Sequence, residues 1–160
     1  MKITIEGADE EFAEKLVALA ARHHAELSVV TVDTRWTTDR AERYLRSLTS
    51  GARTFARMVV LDGDENGCLD ADRLREALGK LNGPSNALTR AVPRGMREGW
   101  LPEGIEPPVI AVADRDNPSW HKTIAYQVST ENRPVFREAF IRLGLGPAPV
   151  DNDPNGEERP

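Results

Sequence analysis

Several features that mark other protein classes are scarce or missing in this chain of 160 residues. Its single cysteine, Cys68, excludes an internal disulfide. No apolar run is long enough to span a bilayer, and Met1–Glu6 lacks the apolar core of a signal peptide. Hydrophobic content of 39% and charged content of 29% are ordinary for a soluble globular protein. We therefore expect a cytoplasmic protein of one domain with at most a small appendage, and no membrane partner.

Catalytic and cofactor-binding motifs are missing as well. Cys68 has no neighbouring histidine in sequence, and the adjacent His23 and His24 would point in different directions on a helix. Ser119 and His121 share a loop with two aspartates, but no motif ties them into a catalytic triad. The chain has no phosphate-binding glycine loop and no dinucleotide fingerprint. We therefore expect neither enzymatic activity nor a cofactor.

The formal net charge of −5 argues at first against a nucleic-acid partner, but the charge is unevenly distributed. Acidic residues outnumber basic ones by seven to three in residues 1–33, and by four to one in residues 144–160. Residues 34–143 carry 17 basic and 15 acidic residues. The acidity thus lies at the two ends of the sequence, and the middle has a modest positive excess that is compatible with DNA binding.

Residues 1–33 have the pattern of a strand, a helix and a second strand. Lys2–Glu6 alternates polar and apolar residues, and Leu27–Val32 is a short apolar run. Asp9 is placed to cap the helix between them. The apolar residues of that helix recur on one face: Phe12, Leu16, Leu19 and Ala20. Two strands and one helix are too little to fold alone, so we expect this segment to serve homodimerisation or to bind a partner protein.

Residues 34–143 combine helices with a hairpin, which predicts an α+β domain. Helical spacing and capping residues predict four helices outside the basic segment described below. β-branched and apolar runs predict a hairpin, and Cys68-Leu69 is a candidate short strand. The predicted helices are Thr38–Leu48, Ser50–Leu61, Ala71–Gly79 and Pro134–Leu143, and the predicted hairpin strands are Val109–Ala113 and Thr123–Val128. Residues 144–160, rich in Pro, Gly, Asn and acids, predict a flexible acidic tail.

Between Glu76 and Glu98 the sequence contains basic residues and no acid. After a predicted loop at residues 81–84, we predict a helix over residues 84–98, because Pro84 suits a first helical position, where no N–H is needed. Pro93 removes a hydrogen bond inside this helix and predicts a kink or an end near Val92.

The polar and basic side chains of this helix are suited to contact duplex DNA. Those near its N-terminal end can pair with base edges: Ser85, Asn86, Thr89 and Arg90. Arg94 and Arg97 lie further along and are suited to contact phosphates, which adds affinity without sequence information. The competing interpretation is a solvated basic face on an ordinary core helix.

The loop over residues 114–122 joins the two predicted hairpin strands. Arg115, His121 and Lys122 are placed to touch a DNA backbone, while two aspartates in the loop would repel it. Trp120 can fold back under the loop or insert into a groove, and folding back is the commoner behaviour.

A rival pattern lies between the second and third of these predicted helices. Asp62, Asp64, Asn66 and Asp70, with Gly67 between them, match the first nine positions of an EF-hand calcium loop. The twelfth position should be a bidentate glutamate, but Arg73 stands there with a charge of the wrong sign. The pattern therefore favours a hydrophilic loop between helices over a calcium site.

The order of helix, helix, turn, basic helix and hairpin resembles a winged helix-turn-helix domain of the bacterial regulator type. The chain is also similar to a poorly characterised set of actinobacterial proteins. The motifs that carry this similarity are Asp72-x-Leu74-Arg75-x-Ala77-Leu78-Gly79, Leu88-Thr89-x-Ala91 and Gly99-x-Leu101-Pro102-Glu103-Gly104. The resemblance covers about two thirds of the chain and implies binding to double-stranded DNA, as a transcription regulator or a mobile-element accessory protein.

A second hypothesis belongs to a different functional class. A winged helix that no longer reads DNA would serve as a protein–protein adaptor, and the acidic ends and Trp120 favour it. Salt-dependent binding to duplex DNA would separate the two hypotheses.

Overall fold

The computed structural model describes residues 9–22, 33–114, 116 and 122–147. Within these ranges the chain is α+β, with six helices and one three-stranded antiparallel sheet. The helices are α1 (Glu10–Arg22), α2 (Thr38–Ser47), α3 (Ser50–Asp62), α4 (Ala71–Leu78), α5 (Asn82–Arg97) and α6 (Asn132–Arg142), and the strands are β1 (Cys68–Asp70), β2 (Val109–Ala113) and β3 (Thr123–Val128). The predicted strands at residues 2–6 and 27–32 lie outside the described residues. None of the helices named above is both long enough and apolar enough to cross a membrane.

Side-chain caps fix where the helices of the domain begin. The hydroxyls of Thr37 and Thr49 accept hydrogen bonds from backbone N–H groups in the first turns of α2 and α3. The Asp70 carboxylate does the same for α4, at 2.7 Å from the Asp72 nitrogen. α4 ends where Gly79 adopts a φ of 75°. These bounds confirm the predicted helices to within one or two residues.

The sheet has the strand order β1-β3-β2, so β3 pairs with both neighbours. Tyr126 lies opposite Leu69 of β1 and Ala111 of β2, which places these three residues on one face. This face turns towards the helices, because Leu69 is buried and the Tyr126 ring meets Phe55 edge to face at 4.7 Å. The three strands predicted within residues 34–143 are confirmed.

An aromatic cluster joins the start of the domain to its last helix. Trp36, Tyr44 and Phe136 are buried and meet edge to face, with ring centroids 5.1–6.0 Å apart. The Trp36 indole N–H donates to the Glu106 carbonyl at 2.9 Å, and the Tyr44 hydroxyl donates to the Leu88 carbonyl at 3.0 Å. These bonds satisfy the polar atoms of two buried aromatic rings, and the Tyr44 bond ties α2 to α5.

The basic helix differs from its prediction at both ends and in its middle. α5 begins at Asn82, so the loop predicted at residues 81–84 is wrong, and the helix runs through Pro93 to Arg97 without a break. Pro93 is exposed, so its ring points into solvent. The backbone hydrogen bond that it cannot donate is missing on the solvent-facing side of the helix. Buried residues on both sides of Pro93, among them Val92 and Gly95, hold the helix on the core.

Arginines attached to backbone carbonyls fasten several chain segments. Arg133 of α6 donates to the carbonyls of Val60, Gly63 and Asp64 at the end of α3. Arg57 of α3 donates to the carbonyls of residues 145 and 146, at 2.7 and 3.2 Å. The flexible tail expected from Gly144 is therefore wrong for its first residues, which pack on α3. The residues from 148 onward lie outside the described ranges.

Helix α1 differs from the other five helices in having no buried residue. Asp9 caps it, accepting from the Phe12 N–H at 2.8 Å, as the sequence predicts. None of its residues is buried, and Phe12, Val17 and Leu19 are 45–51% exposed. On its predicted apolar face, Phe12 and Leu19 are exposed, and Leu16 and Ala20 are half-buried.

Candidate nucleic-acid interface

The inner face of α5 determines which of its side chains are available for binding. Leu88, Ala91, Val92 and Gly95 are buried, and they recur at the spacing of one helix face. Gly95 has no room for a side chain, because a methyl group there would lie 2.7 Å from the Leu101 side chain and 2.8 Å from the Trp100 ring. Every residue opposite this face is therefore held pointing outwards.

The opposite face of α5 carries a row of one amide and three guanidinium groups. Asn86, Arg90, Arg94 and Arg97 are spaced by four, four and three residues, which places them one above the other along the helix. All four residues are exposed. The structure thus brings together four of the nine residues that the sequence predicts to bind DNA.

The arginines of this row have no carboxylate partner among the residues described by the structure. Arg94 is held instead by the carbonyl of Ser47, to which its Nη2 donates at 2.9 Å. A carbonyl does not neutralise the guanidinium, so the row keeps its positive charge. This is the electrostatic condition that phosphate binding requires.

Two other predicted residues are oriented differently. The Thr89 hydroxyl donates to the Ser85 carbonyl at 3.1 Å, and the Ser85 hydroxyl lies 3.4 Å from the Asn82 carbonyl. Such bonds to the preceding turn are usual for hydroxyls inside helices. Ser85 is also only half-exposed. Both hydroxyls remain on α5 but are engaged by the helix backbone.

The loop between β2 and β3 holds the remaining predicted residues. The Asp114 N–H donates to the Lys122 carbonyl at 3.0 Å, which closes the base of the loop, and Lys122 is exposed. The Asp116 N–H donates to the Asp114 carboxylate. Arg115, His121 and Trp120 lie outside the described residues, so their predicted roles are not addressed by the structure.

A groove of about 350 Å³ runs beside the arginine row. One wall is α5 and the other is the corner between α2 and α3. It is lined by Ser47, Leu48, Thr49, Gly83, Asn86, Ala87, Arg90, Ala91 and Arg94, a set with two guanidinium groups and no acid. Sequence reasoning missed the corner residues, because their approach to α5 is a long-range contact with no local signature.

Arg43 is a further cation that the sequence did not indicate. Its guanidinium carbon lies 5.1 Å from the centre of the Trp100 ring, a cation–π distance. The Trp100 indole N–H donates to the Glu98 carboxylate at 2.8 Å. Arg43 and Trp100 therefore pack together at the C-terminal end of α5.

The loop that resembles a calcium site borders a second, open pocket of about 450 Å³. Asp62, Asp64, Asp70 and Arg73 line it with Cys68, Leu69 and Ala125. One carboxylate oxygen of Asp64 accepts hydrogen bonds from the backbone N–H groups of Asn66 and Cys68, and one of Asp70 accepts from that of Asp72. Burial, and then the charges of Asp64 and Asp70, raise the pKa of the Cys68 thiol.

The metal-binding interpretation of this loop gains no support from the geometry. In the part of the chain that the structure describes, no three Asp, Glu, His or Cys side chains are grouped so that they could hold one ion. The carboxylates of Asp64 and Asp70 serve as local caps instead. Both carboxylates therefore accept hydrogen bonds within the loop and at the start of α4.

Comparisons of the chain with protein-family models, with curated proteins and with solved structures give no match.

Proposed function

We propose that this protein binds duplex DNA through α5, on a winged helix-turn-helix domain. The observation that carries the proposal is the row of Asn86, Arg90, Arg94 and Arg97, exposed on one helix face without carboxylate partners in the described ranges. A basic helix face of this kind fits the major groove, which is wide enough to admit an α-helix.

The order of elements supports the winged-helix part of the proposal. Helix α3, strand β1, helices α4 and α5 and the β2–β3 hairpin follow one another as the three helices and the wing of such a domain do. The sheet order β1-β3-β2 places β1 beside the wing hairpin. In this arrangement α4 and α5 form the helix-turn-helix unit, and the loop after β2 is the wing.

The side chains of α5 then divide by chemistry. Asn86 can pair with adenine through two hydrogen bonds, and Arg90 can pair with guanine in the same way. Arg94 and Arg97 contact phosphates, and Lys122 with the rest of the wing contacts the backbone. If residues 1–33 pair two copies of the protein, the dimer can bind two neighbouring half-sites. Such a dimer is suited to regulate transcription or to serve as an accessory protein of a mobile element.

Binding to a random-sequence duplex at increasing salt concentration tests the proposal. The affinity should fall as salt rises, with a slope of log K against log salt of about −0.9 for each phosphate neutralised. Replacing Arg97 by Ala should weaken binding about tenfold, which corresponds to the loss of one phosphate contact that does not depend on the sequence of the duplex.

Arg137→Ala is the matched control, because it removes the same charge from an exposed position on α6. It should leave the affinity within about twofold of the parent protein. An affinity that does not change with salt, or equal effects of the two substitutions, would contradict DNA binding by α5.

The adaptor hypothesis keeps one specific observation in its favour. The apolar side chains of α1 are exposed, and exposed apolar faces often mark binding sites for other proteins. If the parent protein shows no salt-dependent affinity for duplex DNA, the adaptor function becomes the better explanation of this domain.

A further inference from the structure

We infer that the groove between α5 and the α2–α3 corner holds a phosphate of the DNA backbone, so that α2 and α3 take part in binding. This inference rests on the proposed function and extends the contact surface beyond α5 and the wing. The corner is residues Ser47, Leu48 and Thr49, which form the wall facing α5.

The charged side chains that line the groove are all basic. Arg90 and Arg94 line it, and no carboxylate does. Behind the corner, Arg53 donates to the carbonyls of Leu45 and Leu48, at 2.9 and 3.1 Å. Two guanidinium groups thus line the groove and a third holds the backbone of its corner, and no described acid pairs with any of the three. An anion is the ligand that such a site favours.

Arg94 is already positioned for this contact. Its bond to the Ser47 carbonyl uses one of the five N–H donors of a guanidinium group, which leaves the others for a ligand. A side chain held in this way loses less conformational entropy on binding than a free arginine does. The Ser47 carbonyl therefore acts as the positioning group for Arg94.

The lining also indicates which anion is held. It contains no aromatic ring on which a base could stack, so a nucleotide ligand has little to recognise beyond its phosphate. Gly83, Ala87 and Ala91 are small and allow a sugar–phosphate chain to approach the helix closely. A backbone phosphodiester beside a helix that lies in the major groove meets both conditions.

Placing a carboxylate at the corner provides the test. Ser50→Glu adds a negative charge at the first residue of α3, next to Thr49, at an exposed position where an acid favours the helix. Thr38→Glu adds the same charge at the first residue of α2, about 14 Å away along that helix. Both helices are capped by a threonine immediately before that residue, which makes the two variants a matched pair.

We expect Ser50→Glu to weaken binding of a random-sequence duplex about tenfold, and Thr38→Glu to change it by less than about twofold. Arg94→Ala should make the salt slope shallower by about 0.9, while Arg137→Ala leaves the slope unchanged. Thermal unfolding of each variant establishes that the fold is retained.

The outcomes separate the two levels of the proposal. A parent protein that fails to bind duplex DNA at low salt overturns both. A parent that binds with the expected salt slope, while either Ser50→Glu or Arg94→Ala behaves like its control, leaves α5 as a DNA-binding helix and overturns the phosphate site in the groove.

Discussion

Gly67 is the residue at which one added methyl group should do most damage to the base of the sheet. It has a φ of 74°, and a methyl group there would lie 2.3 Å from the Val128 carbonyl oxygen of β3. Its own carbonyl accepts from the Val128 N–H at 3.0 Å. Gly67→Ala should therefore strain the backbone and push β3 away from the loop before β1.

The expected loss combines three effects. A left-handed backbone costs a non-glycine residue about 1–2 kcal/mol. Weakening the Val128–Gly67 hydrogen bond costs about 1 kcal/mol. Val128 is fully buried, so moving it disturbs the packing of the core by about another 1 kcal/mol. We expect the free energy of unfolding to fall by about 3–4 kcal/mol, a large part of the ~5–15 kcal/mol that stabilises a typical domain.

Gly99→Ala is the control that separates the steric contact with Val128 from the strain of a left-handed backbone. Gly99 also has a φ of 74°, but a methyl group there would meet no atom within 4 Å. Its substitution should cost only the left-handed term, about 1–2 kcal/mol. Guanidinium-chloride unfolding followed by tryptophan fluorescence measures both variants. Equal losses in the two would refute the inference that Gly67 is required by its contact with β3.

Two further perturbations test the packing that positions α5. Tyr44→Phe removes the buried hydrogen bond to Leu88 and should cost about 1 kcal/mol at neutral pH. Burial raises the pKa of Tyr44 above its ordinary value of 10.0. The stability that the neutral hydroxyl contributes is therefore complete below pH 10 and is lost as the pH rises beyond it. Between pH 9 and pH 11, the free energy of unfolding should fall less for Tyr44→Phe than for the parent protein. Arg133→Ala removes three hydrogen bonds to backbone carbonyls and should lower the free energy of unfolding by about 2–3 kcal/mol. Arg137→Ala, on the same helix, should change it by less than about 0.5 kcal/mol. Similar losses in the two variants would mean that the carbonyl bonds contribute little.

Local patterns were sufficient to predict most of the helices and all the described strands. Thr37, Thr49 and Asp70 each precede a helix that they cap, and capping is decided within a few residues of the chain. β2 is apolar throughout and β3 is rich in apolar and β-branched residues, so both strands could be predicted from the sequence alone.

Predictions failed where a distant contact overrode the local signal. Pro93 argued for a broken helix, but the buried residues around it keep α5 continuous. Gly144 and the residues after it look like the start of a tail, but Arg57, almost ninety positions earlier, binds two of their carbonyls. No periodicity reports such a contact, because arginine is equally suited to solvent and to a carbonyl.

The same limit applies to the candidate site. The row on α5 could be predicted, since its spacing is a property of one helix. The groove could not, since Ser47 and Thr49 approach α5 only in the folded chain. Gly67 matches a calcium-loop pattern, but a glycine is required there because the backbone of β3 passes close to it. The pattern alone does not reveal that contact.

The net charge of −5 does not exclude the proposed interface, because binding is decided by the field close to the site. At an ionic strength of 0.1 M, exposed charges further apart than about 10 Å are largely screened from one another. Arg53 and Arg94 donate to backbone carbonyls, which do not neutralise a guanidinium group, whereas Arg46 and Arg75 are paired with Glu42 and Asp72. The relevant quantity is therefore the number of guanidinium groups near α5 that no carboxylate neutralises, and the salt slope of the parent protein measures the phosphates they contact.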